Sequence, residues 1–235
     1  MTRLSVNLNK VALLRNTRTI GIPSVTRSAQ ICIDAGAYGI TVHPRPDQRH
    51  IRPSDVYELN ALVSDVEFNI EGNPFEAGYL DIVRSVKPTQ CTLVPDTPDA
   101  FTSDHGWELS KDGDRLKPII QELKSLGSRV SLFMDYESDE IPRAALVGAD
   151  RIELYTEPYA DAFRDEEDLE AVFEGYARAA AIAQDAGLGV NAGHDLNLEN
   201  LGRFCSIPGV LEVSIGHALL GEALDMGLAQ TVKAH

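Results

Sequence analysis

The chain has 235 residues, an apolar fraction of 43% and a formal net charge of −15. Its length suits one large domain, since single α/β barrels commonly run to about 250 residues, and the apolar fraction is enough for a sizeable buried core. The negative charge argues against a nucleic-acid-binding protein, which needs a basic face. An acidic protein still binds phosphates where arginines gather locally, and Arg15, Arg18, Arg45 and Arg49 all fall in the first quarter of the chain. Cys32, Cys91 and Cys205 are odd in number and widely spaced, with no CxxC or ligand-like spacing. They read as small core residues of a protein in a reducing compartment. The N-terminus has no apolar signal region and no stretch approaches membrane-spanning length, so a cytoplasmic protein is expected.

Short apolar runs alternate with longer segments of helical period. Residues 4–8 read as the first strand, followed by a loop through Arg18. Ser24 caps a helix that runs to Ala35 and stops at Gly36. Residues 39–42 form the second strand, and Pro44 and Pro46 hold the segment after it extended. Pro53 and Ser54 open a helix with Val56, Leu59, Leu62 and Val63 on its apolar face. Residues 68–70 are the third strand, a helix runs from Pro74 to about Val86, and 90–94 is the fourth strand. Residues 95–114 are polar and read as a long loop, of the kind that serves as a functional lid. A helix over 116–126 leads to the fifth strand at 129–134. Helix 141–147 and strand 151–154 follow, then one long acidic helix from about Glu166 to Ala186, read as a solvated face. Strand 188–191, a short helix at 198–204, strand 211–215 and a helix at 218–233 complete the chain.

Eight strand-then-helix units without a composition break predict a parallel sheet. Their number and the length point to one closed (β/α)8 TIM barrel over residues 1–235. A doubly wound open sheet is the runner-up, weakened because no G-x-G-x-x-G follows the first strand. In a barrel the chemistry sits where strands end. Those ends carry Asn7 and Asn9, His43 and Arg45, Glu71, Asp135, Glu153, His194 and Gly216-His217. Four of the six histidines (His43, His50, His194 and His217) lie on these loops, which makes scattered surface histidines a poor explanation. Gly193-His194 and Gly216-His217 occupy the loops after strands seven and eight, where barrels often hold a phosphate. Glu71 at the end of an apolar strand is expected to be partly desolvated, which raises its pKa and suits it to moving protons. A salt bridge from Glu71 to Arg45 is the structural alternative. A metal site is disfavoured, because the histidines lack ligand-like spacing and arginines beside them would repel a cation.

These residues resemble the PdxJ family of pyridoxine 5′-phosphate synthases in vitamin B6 biosynthesis. The resemblance is carried by 5–18 (SVNLNKVALLRNTR), 39–51 (GITVHPRPDQRHI), 68–71 (FNIE), 92–96 (TLVPD) and 131–133 (SLF). It continues through 151–156 (RIELYT), 190–194 (VNAGH) and 214–218 (SIGHA), in order from one end of the chain to the other. It implies condensation of 1-deoxy-D-xylulose 5-phosphate with 3-amino-2-oxopropyl phosphate. Pyridoxine 5′-phosphate, inorganic phosphate and water are released, with no metal or organic cofactor and no nucleic-acid or membrane partner. It also implies an octamer built from dimers. His43 and Glu71 look like the family's proton acceptors and His194 like its proton donor. Arg45, His50 and Thr102 resemble its contacts to the deoxyxylulose phosphate, as do the positions of Asn9 and Lys10. Asn7, Arg18, Asp195, Gly216 and His217 resemble its contacts to the amino-ketone phosphate. Two departures stand out: Asn9-Lys10 replaces the commoner Asp-His, and Asp195 replaces a common glycine. A barrel aldolase is the rival enzyme class. It would want a Schiff-base lysine at a strand end, whereas Lys10 lies just beyond the first strand.

Overall fold

Large apolar residues occupy every second position of the strands, as in Phe68-Asn69-Ile70-Glu71 and Val190-Asn191-Ala192-Gly193. In a strand, alternate side chains face opposite sides of the sheet, so this pattern separates two layers. The computed structural model, which describes residues 1–97 and 100–235, shows both. Strands β1 (Arg3–Asn7), β2 (Gly39–Val42), β3 (Glu67–Gly72), β4 (Gln90–Leu93), β5 (Arg129–Met134), β6 (Arg151–Tyr155), β7 (Gly189–Gly193) and β8 (Val210–Ile215) pair in parallel and in sequence order. β1 pairs with β8 and closes the barrel. The apolar positions of the strands, among them Ile40, Ile70, Leu93, Leu132 and Ile152, are fully buried in the main core cluster.

The other set of strand positions is polar. Ser5 Oγ lies 2.7 Å from Thr41 Oγ1, Asn69 Nδ2 donates to Thr41 at 3.3 Å, and Thr92 Oγ1 donates to Asn69 Oδ1 at 3.1 Å. Barrels usually fill this space with branched aliphatic residues; here buried polar groups fill it, many of them hydrogen-bonded to one another, while Ser131 Oγ and Ser214 Oγ find no partner among the described residues. Below them, at the N-terminal ends of the strands, Arg129 pairs with Glu67, and Arg151 pairs with Glu212 at 3.3 Å.

The outer layer consists of α1 (Asn9–Asn16), α2 (Val25–Ala35), α3 (Pro53–Leu62), α4 (Tyr79–Val86), α5 (Leu109–Ser125), α6 (Ile141–Leu146), α7 (Glu157–Asp165), α8 (Leu169–Asp185), α9 (Leu201–Phe204), α10 (His217–Met226) and α11 (Leu228–Ala234). Ser24 caps α2 by accepting the Arg27 N–H, and Gly36 ends it at φ 110°, as its sequence predicts.

Six expectations are corrected. The segment after β1 is α1 rather than a loop; its N-cap is Leu8, without a capping side chain to announce it. The helix expected from Pro74 begins at Tyr79, after a turn through Gly78. α5 starts at Leu109 despite the Gly and Pro inside it, because Leu109, Gly113, Leu116, Ile120 and Leu123 bury one face. The long loop therefore covers 94–108, of which Pro98 and Asp99 lie outside the described residues. The single acidic helix is two, α7 and α8, parted by Glu166 and Asp168 in the left-handed region, and the last helix is likewise broken at Gly227. Nor is the segment after β2 extended. The Arg45 N–H donates to His43 O at 3.0 Å, a three-residue turn whose centre is Pro44, and the fixed φ of proline suits that centre.

Candidate active site

The C-terminal ends of the strands surround a cavity of about 440 Å³, within the range of small-ligand sites, roughly 300–1,000 Å³. Every catalytic or substrate-contact candidate named above except Arg18 lines it, whereas the strand-end acid Asp135 does not. Arg18 is exposed on the turn after α1. Its neighbour Arg15 is taken up structurally: it pairs with Asp55 and donates to His50 O at 3.2 Å, and Asn16 Nδ2 donates to the same carbonyl at 2.8 Å. The helix missed by the sequence reading thus pins the turn that carries His50.

At the centre, Glu71 Oε2 lies 3.9 Å from His43 Nδ1 and accepts from Asn7 Nδ2 at 3.4 Å. Glu71 comes from the end of β3 and His43 from just past β2; the parallel register that sets Val42 against Ile70 brings them together. Burial pushes the Glu71 carboxyl up to about 7, partly offset by the nearby His194 imidazole. Burial, reinforced by the Arg45 guanidinium, then the His50 imidazole and Arg49, holds the His43 imidazole well below its usual range. His43 is therefore neutral at pH 7, while Glu71 is poised between its two forms. Burial, then Arg45, brings His50 down to about 4. His50 Nδ1 accepts the Ile51 N–H at 2.9 Å, which leaves the ring proton on Nε2. Asn9 spends its amide oxygen on the His43 N–H at 2.9 Å, and Asn7 spends its own on the Asn9 N–H at 2.9 Å. This pair ties the ends of β1 and β2 and leaves the Asn9 NH2 free of those bonds.

β7 delivers His194 at φ 99°, followed by Asp195 at φ 56°. Two successive non-glycine residues in the left-handed region hold a strained turn, of the kind stabilised at functional sites by its surroundings. Thr156 Oγ1 donates to His194 O, and Asn200 Nδ2 donates to Asp195 O at 3.2 Å. The imidazole packs edge-on to Tyr155 and Phe133, with centroids 5.2 and 6.2 Å away, and its Nε2 lies 3.4 Å from Thr102 Oγ1. Asp195 Oδ2 lies 3.9 Å from His194 Nδ1, and the imidazole draws the Asp195 carboxyl below its usual range. Gly216 sits before α10, where a Cβ would come within 3.1 Å of the Asn7 side chain.

The alternative partner for Glu71 is occupied elsewhere: Arg45 pairs with buried Asp96. Asp135 serves the frame, accepting the Gly106 N–H at 3.1 Å. Glu153, one of the strand-end groups, and Arg49 also line the cavity, although neither was given a catalytic or binding role. Burial, then Glu71, pushes the Glu153 carboxyl well above its usual range. Among the described residues, Glu157, His194 and Asp195 could bring one metal-ligand atom each within 4.8 Å of one another.

Over residues 4–235 the chain matches the family described as Pyridoxal phosphate biosynthesis protein PdxJ. The chain belongs to the PdxJ family. It is 56% identical over its full length to a protein of Xanthomonas campestris pv. campestris, covering 94% of that relative. It is 55% identical to one of Xylella fastidiosa, covering 93%, and 53% identical to one of Albidiferax ferrireducens, covering 96%, again over all of this chain. Each relative carries the name pyridoxine 5′-phosphate synthase. Among solved structures, this PdxJ chain is similar to a KGPDC from Streptococcus mutans (TM-score 0.65, 11% identity, 100% of this chain and 95% of that one). It is also similar to phosphoribosyl anthranilate isomerase of Thermotoga maritima (TM-score 0.62, 13% identity, 100% and 96%). At such identities these likenesses speak for the barrel alone. No helix among the described residues of this PdxJ protein is long and apolar enough to cross a membrane.

Proposed function

We propose that the chain works as one cytoplasmic catalytic barrel that condenses 1-deoxy-D-xylulose 5-phosphate with 3-amino-2-oxopropyl phosphate to give pyridoxine 5′-phosphate, inorganic phosphate and water. The observation that carries the reading is the approach of Glu71 to His43, 3.9 Å apart in one cavity that His194 also lines. Imine formation between the amine and the sugar ketone needs proton transfers in both directions, as do the dehydrations after it. Neutral His43 and the ionised form of Glu71 accept protons. His194, nearer the mouth with a carboxylate facing its Nδ1, donates to the leaving oxygen. No metal or organic cofactor is called on in this reading.

Two phosphates need two anion sites. Arg45, His50 and Thr102, with Asn9 and Lys10, serve the deoxyxylulose phosphate. Asn7, Asp195, Gly216 and His217 serve the amino-ketone phosphate, the last two at the N-terminus of α10. Arg18, exposed and outside the cavity, joins that second set through assembly of the chain into an octamer built from dimers. The loop 94–108 is the lid that keeps water from the imine.

The test is to mix purified protein with the two substrates, without added metal, and follow pyridoxine phosphate. Wild type is expected to form it, and Glu71→Gln to lose about 10²–10⁴-fold in rate, the usual contribution of a positioned general base. No product with wild type, or unimpaired product with Glu71→Gln, would overturn the reading.

A further inference from the structure

Beside the mouth lies a buried carboxylate to which the proton chemistry assigns no part. Asp96 is 4% exposed. Its Oδ2 pairs with the Arg45 guanidinium and accepts from Ser103 Oγ at 2.7 Å, and its backbone carbonyl accepts from Asn73 Nδ2 at 2.9 Å. Arg45, 5% exposed, also donates through Nη1 to Ala100 O at 2.9 Å, and Arg49 reaches the same carbonyl at 2.9 Å. The loop is thereby held at 96, 100 and 103 against the arginine turn that follows β2. Between the last two of these points Thr102 brings its hydroxyl to 3.4 Å from His194 Nε2. A guanidinium is a planar fork of five N–H donors, so fixing two of them fixes the direction of the others. A buried pair of this kind holds when further hydrogen bonds satisfy it, and removing one partner strands the other's charge.

We propose that Asp96 is a positioning residue for the condensation: its carboxylate binds the Arg45 guanidinium and the segment 100–103 into one rigid unit, so that the arginine serving the phosphosugar and the threonine facing His194 are aimed together. This rests on the functional reading above, in which Arg45 and Thr102 contact the deoxyxylulose phosphate. Asp96 touches neither substrate; it acts through those two side chains.

Asp96→Asn keeps the shape and removes the charge. The KM for deoxyxylulose phosphate is expected to rise about tenfold, the lower end for a lost charged hydrogen bond, with the KM for the amino-ketone phosphate nearly unchanged. Arg45→Lys, which keeps the charge and loses the fork, should raise the same KM. The double variant should be little worse than Arg45→Lys alone, because both changes break one unit. Equal rises in both KM values, additive losses in the double variant, or wild-type constants for Asp96→Asn each overturn the proposal. Should Asp96→Asn fail to fold, Ser103→Ala removes one hydroxyl from the same carboxylate and is expected to raise that KM about threefold; an unchanged KM overturns the proposal. A wild-type protein that forms no pyridoxine phosphate overturns the functional reading instead. Calorimetric titration with deoxyxylulose phosphate then decides the present point, and equal affinities of wild type and Asp96→Asn overturn it.

Discussion

At the N-terminal end of the barrel Glu67 meets Arg129, and Glu212 meets Arg151. At the C-terminal end, among the described residues, Glu71 and Glu153 have neither lysine nor arginine at ion-pair distance and face imidazoles, amides and each other. Burial acts on Glu67 too, yet the Arg129 guanidinium outweighs it and holds that carboxyl below its usual range. At Glu71 burial wins and the carboxyl rises to about 7. One residue type on one strand thus serves structure at one end and proton transfer at the other, and the difference lies in what the neighbouring strands place opposite it.

The sharpest break of this comparison is a pair of variants. Glu71→Gln should lose about 10²–10⁴-fold in rate and melt no lower than wild type, because it removes a buried carboxylate that has no cation. Arg129→Met at the floor should do the reverse. Urea unfolding is expected to show a loss of about 2 kcal/mol, discounted from a fully buried pair because both partners are partly exposed, with kcat unchanged. A floor variant that abolishes turnover while staying folded would erase the distinction.

Titration sharpens the comparison. Glu71 binds more protons folded than unfolded between its ordinary value of 4.5 and about 7, so its contribution to stability is present at low pH and lost as pH rises through about 7. Glu67 has the opposite sign: its contribution is present above the ordinary value and lost as pH falls towards its depressed folded value. The melting advantage of Glu71→Gln over wild type should therefore grow from about pH 5 to about pH 8, whereas the deficit of Glu67→Gln should stay flat there and vanish only in acid. Parallel curves would show that burial does not govern the mouth. The smallest effect expected is at Gly216. Its Cβ in Gly216→Ala would press on Asn7 at 3.1 Å, and a shift of a few tenths of an ångström should raise the KM for the amino-ketone phosphate about threefold. An unchanged KM would remove Gly216 from that site.

Much of this architecture was legible because its signals are local. Ser24 and Gly36 bracket α2, and β5 spans 129–134 as its apolar run implies. The strand-end rule gathered Asn7, His43, Glu71 and His194 without any knowledge of packing. What escaped was set by distant partners. Leu8 gives no capping signal for α1, and the polar stretch through Gly113 reads as loop although its buried face carries α5 back to Leu109. The pairing of Arg45 with Asp96 spans two loops, and nothing in either segment marks it. Asp135 looked like one more strand-end acid, yet its carboxylate is spent on the Gly106 backbone.

Proton transfer at the mouth turns on the protonation of Glu71, which isotope-edited infrared titration of the carboxyl band reads directly, with Glu71→Gln identifying the band. A midpoint at about 7 is predicted; a carboxylate already fully ionised at the ordinary value of 4.5 would contradict it.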